Sequence, residues 1–341
     1  MIEIDLVTGF LGSGKTTFIR KYARYLMKRG ENIAILENDH GAVNVDALLL
    51  HDLEEEGCDV ETIAGGCDHD CHIRRCRTKL IAMGMLGYDR VIVEPSGIYD
   101  VDEFFDVLHD EPLDQWYEIG NVVTIVDARM LRTEAAGTET PGEKAQLSRE
   151  TRYFLMSQAA NAGLLLLSHV EPGEGEGNSY GDEICFLNGI MEEFKCDRRF
   201  SGENLLAKDW NALTGDDFAA IASCGYTPAD HIKLPLEDDN GFTSLYFLNL
   251  PFPLSQLREK AVRLLRDKTA GHVLRIKGFH REDGQWYELN ASETSVTVGK
   301  CQAGQELFIV IGEDLDREIV QQQLEVGGDV WHNGNVYAGL D

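Results

Sequence analysis

A glycine-rich segment near the amino terminus has the spacing of a phosphate-binding loop. Residues 9–17 read Gly-Phe-Leu-Gly-Ser-Gly-Lys-Thr-Thr, directly after a short apolar run and before a helical pattern. Only a turn with few side chains lets successive backbone N–H groups approach a triphosphate, and the helix adds the positive end of its dipole. A chance glycine turn is the alternative. We predict nucleotide contacts from Gly12, Ser13, Gly14, Lys15, Thr16 and Thr17, with Lys15 at the β- and γ-phosphates.

A carboxylate and a glycine follow another apolar run, which reads Val91-Ile-Val-Glu94-Pro-Ser-Gly97. A magnesium-bound phosphate needs an acidic group at the carboxyl end of a neighbouring strand. We therefore predict that Thr16 and Glu94 ligate Mg²⁺ and that the backbone N–H of Gly97 lies near the γ-phosphate. A carboxylate that merely closes a strand or a turn is the alternative for Glu94.

Five thiol and imidazole side chains lie within ten residues of each other. The segment reads Cys67-Asp-His69-Asp-Cys71-His72-Ile-Arg-Arg-Cys76, and its charged residues make it too polar for a core. Such ligands favour Zn²⁺, Co²⁺, Ni²⁺ or Fe²⁺ over Mg²⁺ or Ca²⁺. We predict a transition-metal site from Cys67, His69, Cys71, His72 and Cys76. Packing of buried thiols and a catalytic cysteine are the alternatives.

Composition limits the classes of partner. The chain has 341 residues, a formal net charge of −28 and eight cysteines. The acidic excess argues against nucleic acids and anionic membranes, which need basic surfaces. The first apolar run starts at Ile2, which leaves no room for a secretion signal. We therefore expect a cytoplasmic protein with reduced cysteines.

Apolar runs alternate with helical patterns through the first two thirds of the sequence. Apolar runs flanked by helices are typical of a parallel sheet that is covered on both faces. We predict an α/β fold, a P-loop NTPase domain with a mostly parallel sheet, followed by a smaller α+β carboxyl-terminal domain with a mostly antiparallel sheet. The predicted strands of the first domain are Ile2–Val7, Ile33–Glu37, Arg90–Glu94, Val122–Asp127 and Leu164–Ser168.

These motifs together resemble the CobW-like GTPases, relatives of the nickel-insertion GTPases that serve urease and hydrogenase. The resemblance rests on residues 9–17, Leu36-Glu-Asn-Asp-His-Gly41, Gly66-Cys67, residues 94–97, Val126-Asp-Ala128 and Val273-Leu-Arg-Ile-Lys-Gly278. It implies a GTPase domain over residues 1–225, a linker over 226–241 and a CobW-type α+β domain over 242–341. GTP or GDP and Mg²⁺ are the implied cofactors.

The resemblance also implies that Glu37–Gly41 is a switch region near the two metal sites. It implies Glu37 as a further transition-metal ligand and Asp39 as a further Mg²⁺ ligand, with Lys15, Glu94 and Asp39 as the catalytic residues. The family usually has Glu where this chain has Asp39 and often Glu at Ala42. The family also has a Cys-x-Cys-Cys motif, which is altered in this chain: His69 stands where the middle thiolate would lie.

Base recognition is the motif that departs furthest from the resemblance. Where such GTPases read guanine with Asn-Lys-x-Asp, this chain has Ser168-His169-Val170-Glu171. We expect Glu171 to accept hydrogen bonds from guanine and His169 to stack on the base. Use of ATP, or loss of hydrolysis, is the alternative. Gln158 and Lys277 are interpreted as exposed helix polarity and a strand-edge charge, without a functional role.

The function implied by the resemblance is slow GTP hydrolysis coupled to metal handling. We expect a metallochaperone or metal-insertion factor that delivers a transition metal to a client metalloprotein. Zn²⁺ is the preferred metal, with Co²⁺, Ni²⁺ and Fe²⁺ as alternatives. The protein is expected to be a monomer or a homodimer. A nucleotide-gated scaffold without catalysis and a maturation factor for a corrinoid protein or metalloenzyme are the alternatives.

Overall fold

The structure is a computed structural model that describes residues 1–39, 45–64, 69–98, 101–136, 147–170, 180–234, 242–248, 250–301, 304, 306–326, 330–332 and 335–337. The chain divides into two compact units. The amino-terminal unit comprises Met1–Asn38, Leu50–Ile63 and Ile73–Pro235, and the carboxyl-terminal unit comprises Asp39–Leu49, Ala64–His72 and Leu236–Asp341. The predicted domain and linker boundaries stay predictions.

A seven-stranded sheet forms the centre of the amino-terminal unit, in the order β3-β2-β4-β1-β5-β6-β7. Its strands are β1 (Ile2–Thr8), β2 (Ile33–Asp39), β3 (Asp59–Ala64), β4 (Arg90–Glu94), β5 (Tyr117–Asp127), β6 (Leu164–Ser168) and β7 (Leu205–Ala207). β1 pairs in parallel with β4 and β5, β2 with β4, and β6 with β5 and β7. The predicted α/β class with a mostly parallel sheet is confirmed.

Helices connect these strands. They are α1 (Lys15–Lys28), α2 (Val45–Glu55), α3 (His69–Gly84), α4 (Val101–His109), α5 (Leu113–Trp116), α6 (Ala128–Ala135), α7 (Arg149–Ala160), α8 (Gly181–Glu193) and α9 (Gly215–Ile221). Two apolar cores form because alternate residues of the central strands point to opposite faces: Leu6 belongs to one core and Val7 to the other. The core that contains Val7 also contains Phe18 and Tyr22 of α1. This packing fixes the helix that follows the glycine loop.

The carboxyl-terminal unit contains a second sheet, in the order β11-β10-β9-β12-β8-β13-β14. Its elements are β8 (Phe242–Leu248), α10 (Leu254–Arg266), β9 (His272–Glu282), β10 (Gln285–Ser292), β11 (Ser295–Cys301), β12 (Leu307–Glu313), α11 (Arg317–Leu324), β13 (Val330–His332) and β14 (Asn335–Tyr337). All strand pairs with a defined register are antiparallel, which confirms the predicted α+β architecture.

Lys277 lies inside this second sheet. β9 pairs with β10 on one side and with β12 on the other, and Lys277 is 4% exposed. The interpretation of Lys277 as a strand-edge charge is therefore wrong. Among the described residues, no helix combines the length and the apolar character that a bilayer crossing requires.

His272, at the start of β9, makes the stability of this sheet dependent on pH. Hydrogen bonds with Glu293 and Glu313 raise the pKa of His272 to about 9. A raised pKa stabilises the fold below the unfolded value of about 6.5, and this contribution is lost as pH rises through about 9.

We expect the sheet to lose about 1 kcal/mol between pH 6.5 and pH 9.5, allowing for partial exposure of the ion pairs, and His272→Gln to remove that loss. Hydrogen exchange of the β9 and β12 amides, corrected for intrinsic rates, measures it. His51→Gln, which removes an exposed pair with Glu54, is the control. The same pH dependence in wild type and His272→Gln would contradict the assignment.

Candidate functional site

The glycine loop leaves β1 in a conformation that side chains would block. Gly9 has φ 147°, and a Cβ on it would lie 2.3 Å from the carbonyl oxygen of Ile125 on β5. Gly14 has φ 96° and directly precedes α1. Both positions require glycine because the left-handed region is strained for other residues. The loop and the helix start therefore have the geometry of a phosphate-binding turn.

Lys15 folds back across this loop. Its Nζ donates a hydrogen bond to the carbonyl oxygen of Gly9 at 2.8 Å, and the residue is only 6% exposed. A buried ammonium group is thus held where the loop backbone turns. Ser13 is 2% exposed, and its Oγ has no hydrogen-bond partner within the described part of the chain. A buried hydroxyl of this kind fits a polar ligand in the loop.

Thr16 and Glu94, the two residues predicted above to ligate Mg²⁺, are in contact. The Thr16 hydroxyl donates to Glu94 Oε1 at 2.8 Å. Glu37 is the register partner of Glu94 on the adjacent strand, and both carboxylates are at least 96% buried. The Thr16 hydroxyl and the Glu94 carboxylate are oxygen ligands of the kind that suits Mg²⁺, and Glu37 lies beside them. Asp39, the last residue of β2, is described only in its backbone.

Asn38 is a polar residue of this edge that sequence reasoning did not single out. It is 1% exposed, and neither its Oδ1 nor its Nδ2 has a hydrogen-bond partner among the described residues. An unpaired buried amide costs about 1–3 kcal/mol. The sequence signal that could have identified Asn38 is its place as a polar residue at the end of an apolar parallel strand.

Gly97 approaches the glycine loop so closely that a Cβ on it would lie 2.8 Å from the backbone nitrogen of Leu11. Gln158 Nε2 donates to the carbonyl oxygen of Gly97 at 2.8 Å. Gln158 is 1% exposed, so its interpretation as exposed helix polarity is wrong. The missed signal is the run Tyr153-Phe-Leu-Met156, whose largely apolar side chains cover a full turn of α7, as in a buried helix segment.

His169, one of the two residues predicted to contact the base, directly follows β6. His169 has φ 55°, and its Nδ1 lies 3.2 Å from Asp127 Oδ2 and 3.1 Å from Ser168 Oγ. Burial alone would raise the pKa of Asp127, but hydrogen bonds from His169 and Arg129 lower it well below its usual range. The His169 ring is thus oriented by a carboxylate. Glu171 lies outside the described residues.

Trp210 is a further residue that sequence reasoning missed. Its ring centroid lies 5.5 Å from that of Phe18 on α1, and its Nε1 would lie 3.2 Å from a Cβ on Gly14. It follows β7, a three-residue strand beside β6 that is too short for a periodic pattern. Trp210 therefore packs against the loop end of α1.

The predicted transition-metal ligands are only partly described. Cys67 lies outside the described residues, and His69, Cys71 and His72 form the start of α3 with only their backbone described. Cys76 packs in an apolar core, where burial raises its pKa to about 12. A raised pKa disfavours the thiolate that binds metals. Among the described residues no group of three possible ligands converges, so this site stays a prediction.

Comparisons with known proteins match both parts of the chain to described families. The model of the family described as CobW/HypB/UreG, nucleotide-binding domain, matches residues 3–173, and the model of the cobalamin synthesis protein CobW carboxyl-terminal domain matches residues 249–326.

Individual relatives cover less of the chain. The zinc chaperone YjiA of Escherichia coli is 31% identical over 137 residues, 37% of this chain and 41% of the relative. The zinc chaperone YeiR of the same organism is 31% identical over 139 residues, 40% of this chain and 41% of the relative. The matched segments thus span about two fifths of these relatives.

Among solved structures, Zn(II)-bound YjiA GTPase from E. coli aligns with 95% of this chain and 98% of its own, at 19% identity and a TM-score of 0.35. The two family models together cover most of the sequence. The chain belongs to the CobW/HypB/UreG family of nucleotide-binding domains and carries a CobW carboxyl-terminal domain.

Proposed function

We propose that this protein is a GTP-dependent metallochaperone that hydrolyses GTP slowly and passes a transition metal to a client metalloprotein. The observation that carries the nucleotide part is the contact of Lys15 with Gly9 beside the contact of Thr16 with Glu94. The first contact holds an ammonium group in a glycine turn, and the second joins a hydroxyl to a carboxylate; both support a site for a phosphate and its cation. We place this function in the cytoplasm, where thiol ligands stay reduced.

In this proposal, the amides from Gly12 to Thr17 bind the phosphates and Lys15 exchanges its contact with Gly9 for the β- and γ-phosphates. Thr16, Glu94 and Asp39 hold Mg²⁺, which neutralises phosphate charge when it is bound. Ser13 Oγ and the Asn38 amide, both buried without partners in the described part of the chain, fit a site built for polar ligands. Gly97 contacts the γ-phosphate through its N–H.

Base selection is assigned to His169 and Glu171. The imidazole of His169, oriented by Asp127 at 3.2 Å, stacks on the base, and the Glu171 carboxylate accepts hydrogen bonds from guanine. Adenine lacks the matching donors, so GTP is the proposed substrate. Lys15, Glu94 and Asp39 act together on the transferred phosphoryl group. Turnover is slow in this proposal because the reaction also needs a positioned water and extra charge stabilisation, which a partner or the bound metal would supply.

The metal cargo is assigned to Cys67, His69, Cys71, His72 and Glu37, with Cys76 as a ligand only if its thiol leaves the core. The names of YjiA and YeiR as zinc chaperones support Zn²⁺ over Co²⁺, Ni²⁺ and Fe²⁺. His69 and His72 are three residues apart on α3 and so share a helix face. Equal metal affinity with GTP and GDP would contradict nucleotide-driven transfer.

Lys15→Ala tests the phosphate site. Loss of a charge-assisted hydrogen bond lowers GTP affinity about 10- to 100-fold. Isothermal titration with GTP and ATP measures this loss and the base preference. Lys28→Ala, at the exposed end of the same helix, is the control and leaves affinity unchanged. Tight GTP binding by Lys15→Ala would contradict the site, and tight binding without turnover in wild type would favour a scaffold.

Glu94→Gln tests the magnesium site. An amide is a weaker Mg²⁺ ligand than a carboxylate. Mg²⁺ raises the affinity for a GTP analogue by some factor in wild type, and we expect this factor to be smaller in Glu94→Gln by about tenfold or more. Titrations with and without Mg²⁺ measure this difference. Glu118→Gln, at the opposite end of the parallel strands, is the matched control. An unchanged Mg²⁺ effect in Glu94→Gln would exclude Glu94 as a ligand.

Cys71→Ala tests the cargo site. Removing one of a few ligands lowers Zn²⁺ affinity by about 10-fold or more, as measured by competition with a chromophoric chelator. Cys185→Ala removes an exposed thiol on α8 and controls for nonspecific thiol binding. If both variants bind Zn²⁺ like wild type, the cysteine segment is not the cargo site.

A further inference from the structure

We propose that Gln158 is a positioning residue that fixes Gly97 and thereby makes the site bind a nucleoside triphosphate more tightly than a diphosphate. This inference rests on the nucleotide binding proposed above. It concerns residues of the amino-terminal unit alone, all of them described.

The amide of Gln158 is the group that holds Gly97. Its Nε2 donates to the Gly97 carbonyl oxygen at 2.8 Å, deep in a site where Gln158 is 1% exposed. Gly97 in turn lies against the glycine loop, because a Cβ on it would approach Leu11 N to 2.8 Å. The hydrogen bond therefore anchors the segment after β4 at a fixed distance from the loop that binds phosphate.

The backbone of Gln158 is tied to the start of the same loop. Its carbonyl oxygen lies near the end of α7, where helix carbonyls lack helical partners. Thr124 Oγ1 lies 2.7 Å from this oxygen and Thr8 Oγ1 lies 3.0 Å from it, while the two hydroxyls are 2.8 Å apart. Thr8 is the last residue of β1 and directly precedes Gly9. Gln158 thus joins the two backbone segments that a triphosphate would contact.

Stability alone gives a poor explanation for this amide. Gln158 Oε1 is buried and has no hydrogen-bond partner among the described residues, which costs about 1–3 kcal/mol in general. The neighbouring residues of α7, such as Phe154, Leu155 and Met156, are buried and apolar. An apolar side chain of similar shape at position 158 would pack without this cost. The donor to Gly97 is what such a replacement would lose.

Loss of the hydrogen bond from Gln158 to Gly97 is expected to lower the affinity for the triphosphate but not for the diphosphate. In the proposed site, amides of the glycine loop contact the phosphates that GTP and GDP share, whereas the Gly97 N–H contacts the γ-phosphate, which GDP lacks. Loss of one buried hydrogen bond that orients a ligand contact lowers affinity by about tenfold. A residue that only supported the fold would lower the affinities for triphosphate and diphosphate together.

Gln158→Met removes the donor while keeping the length of the side chain. We expect its affinity for a non-hydrolysable GTP analogue with Mg²⁺ to fall about tenfold relative to wild type, and its GDP affinity to stay within about twofold. Gln323→Met is the matched control, since Gln323 is also buried and its amide donates to Asp267 in the carboxyl-terminal unit. Titration calorimetry gives both affinities, and thermal unfolding reports whether each variant is folded.

Gln158→Glu provides a second test that does not depend on packing. A buried carboxyl group has a raised pKa and, when protonated, donates an O–H hydrogen bond to Gly97. The ratio of triphosphate to diphosphate affinity, divided by that of wild type at the same pH, should therefore fall as pH rises from 6 to 8.5. Gln158→Met should show a low ratio at every pH.

The outcomes separate this inference from the function on which it rests. If wild type binds neither nucleotide, the proposed function fails. If wild type binds both and Gln158→Met keeps the wild-type ratio, or loses both affinities equally, the positioning role is wrong. If Gln158→Met does not fold, a ratio in Gln158→Glu that is independent of pH overturns the proposal.

Discussion

The site depends on how closely backbone can approach backbone at Gly9 and Gly97. At Gly9 a single added carbon would lie 2.3 Å from the Ile125 carbonyl oxygen, and at Gly97 it would lie 2.8 Å from the Leu11 nitrogen. Real Cβ contacts are never so short, so these two positions bring β5, the glycine loop and the segment after β4 together. Lys15, Thr16 and Glu94 acquire their geometry from this contact, because each lies on or beside one of the three segments.

The packing of α1 against the sheet also supports the position of the glycine loop. Phe18 and Tyr22 of α1 are fully buried, and their stacked rings lie 5.7 Å apart. Such packing holds the first turn of the helix against the sheet, so the loop does not need hydrogen bonds from many side chains. Trp210 adds a third ring near Phe18 and reaches the helix start. The buried aromatic rings thus stabilise the position of α1, and the first turn of α1 forms part of the polar site.

Sequence reasoning predicted the parts of the fold that have strong local patterns. Four leucines, Leu164 to Leu167, make up all but the last residue of the predicted strand Leu164–Ser168, and β6 has those bounds. β5 begins at Tyr117, whereas the predicted strand begins at Val122. The predicted start is too late because Glu118, Gly120 and Asn121 interrupt the apolar pattern of the sequence. The Asn121 amide is satisfied by Asp5 on β1, a contact 116 residues away that no local pattern contains.

The candidate site was predictable to a similar degree. Glycine spacing identified Gly9, Gly14 and Lys15 because phosphate binding restricts residue type there. The roles proposed for Asn38 and Gln158 rest on the burial of their side chains, and burial of a polar residue is set by tertiary packing. His169 was predicted at the end of β6, but its contact with Asp127 requires the register of β5 and β6.

The register that places Glu37 beside Glu94 has a consequence for the energetics of the whole protein. Two carboxylates buried at neighbouring positions repel each other when both are ionised, and a divalent cation between them would relieve that repulsion. A cation that binds the folded chain better than the unfolded chain stabilises the fold in proportion to the logarithm of its concentration. Folding stability and cation supply are then linked, and the resistance of this protein to unfolding would follow the metal status of its surroundings.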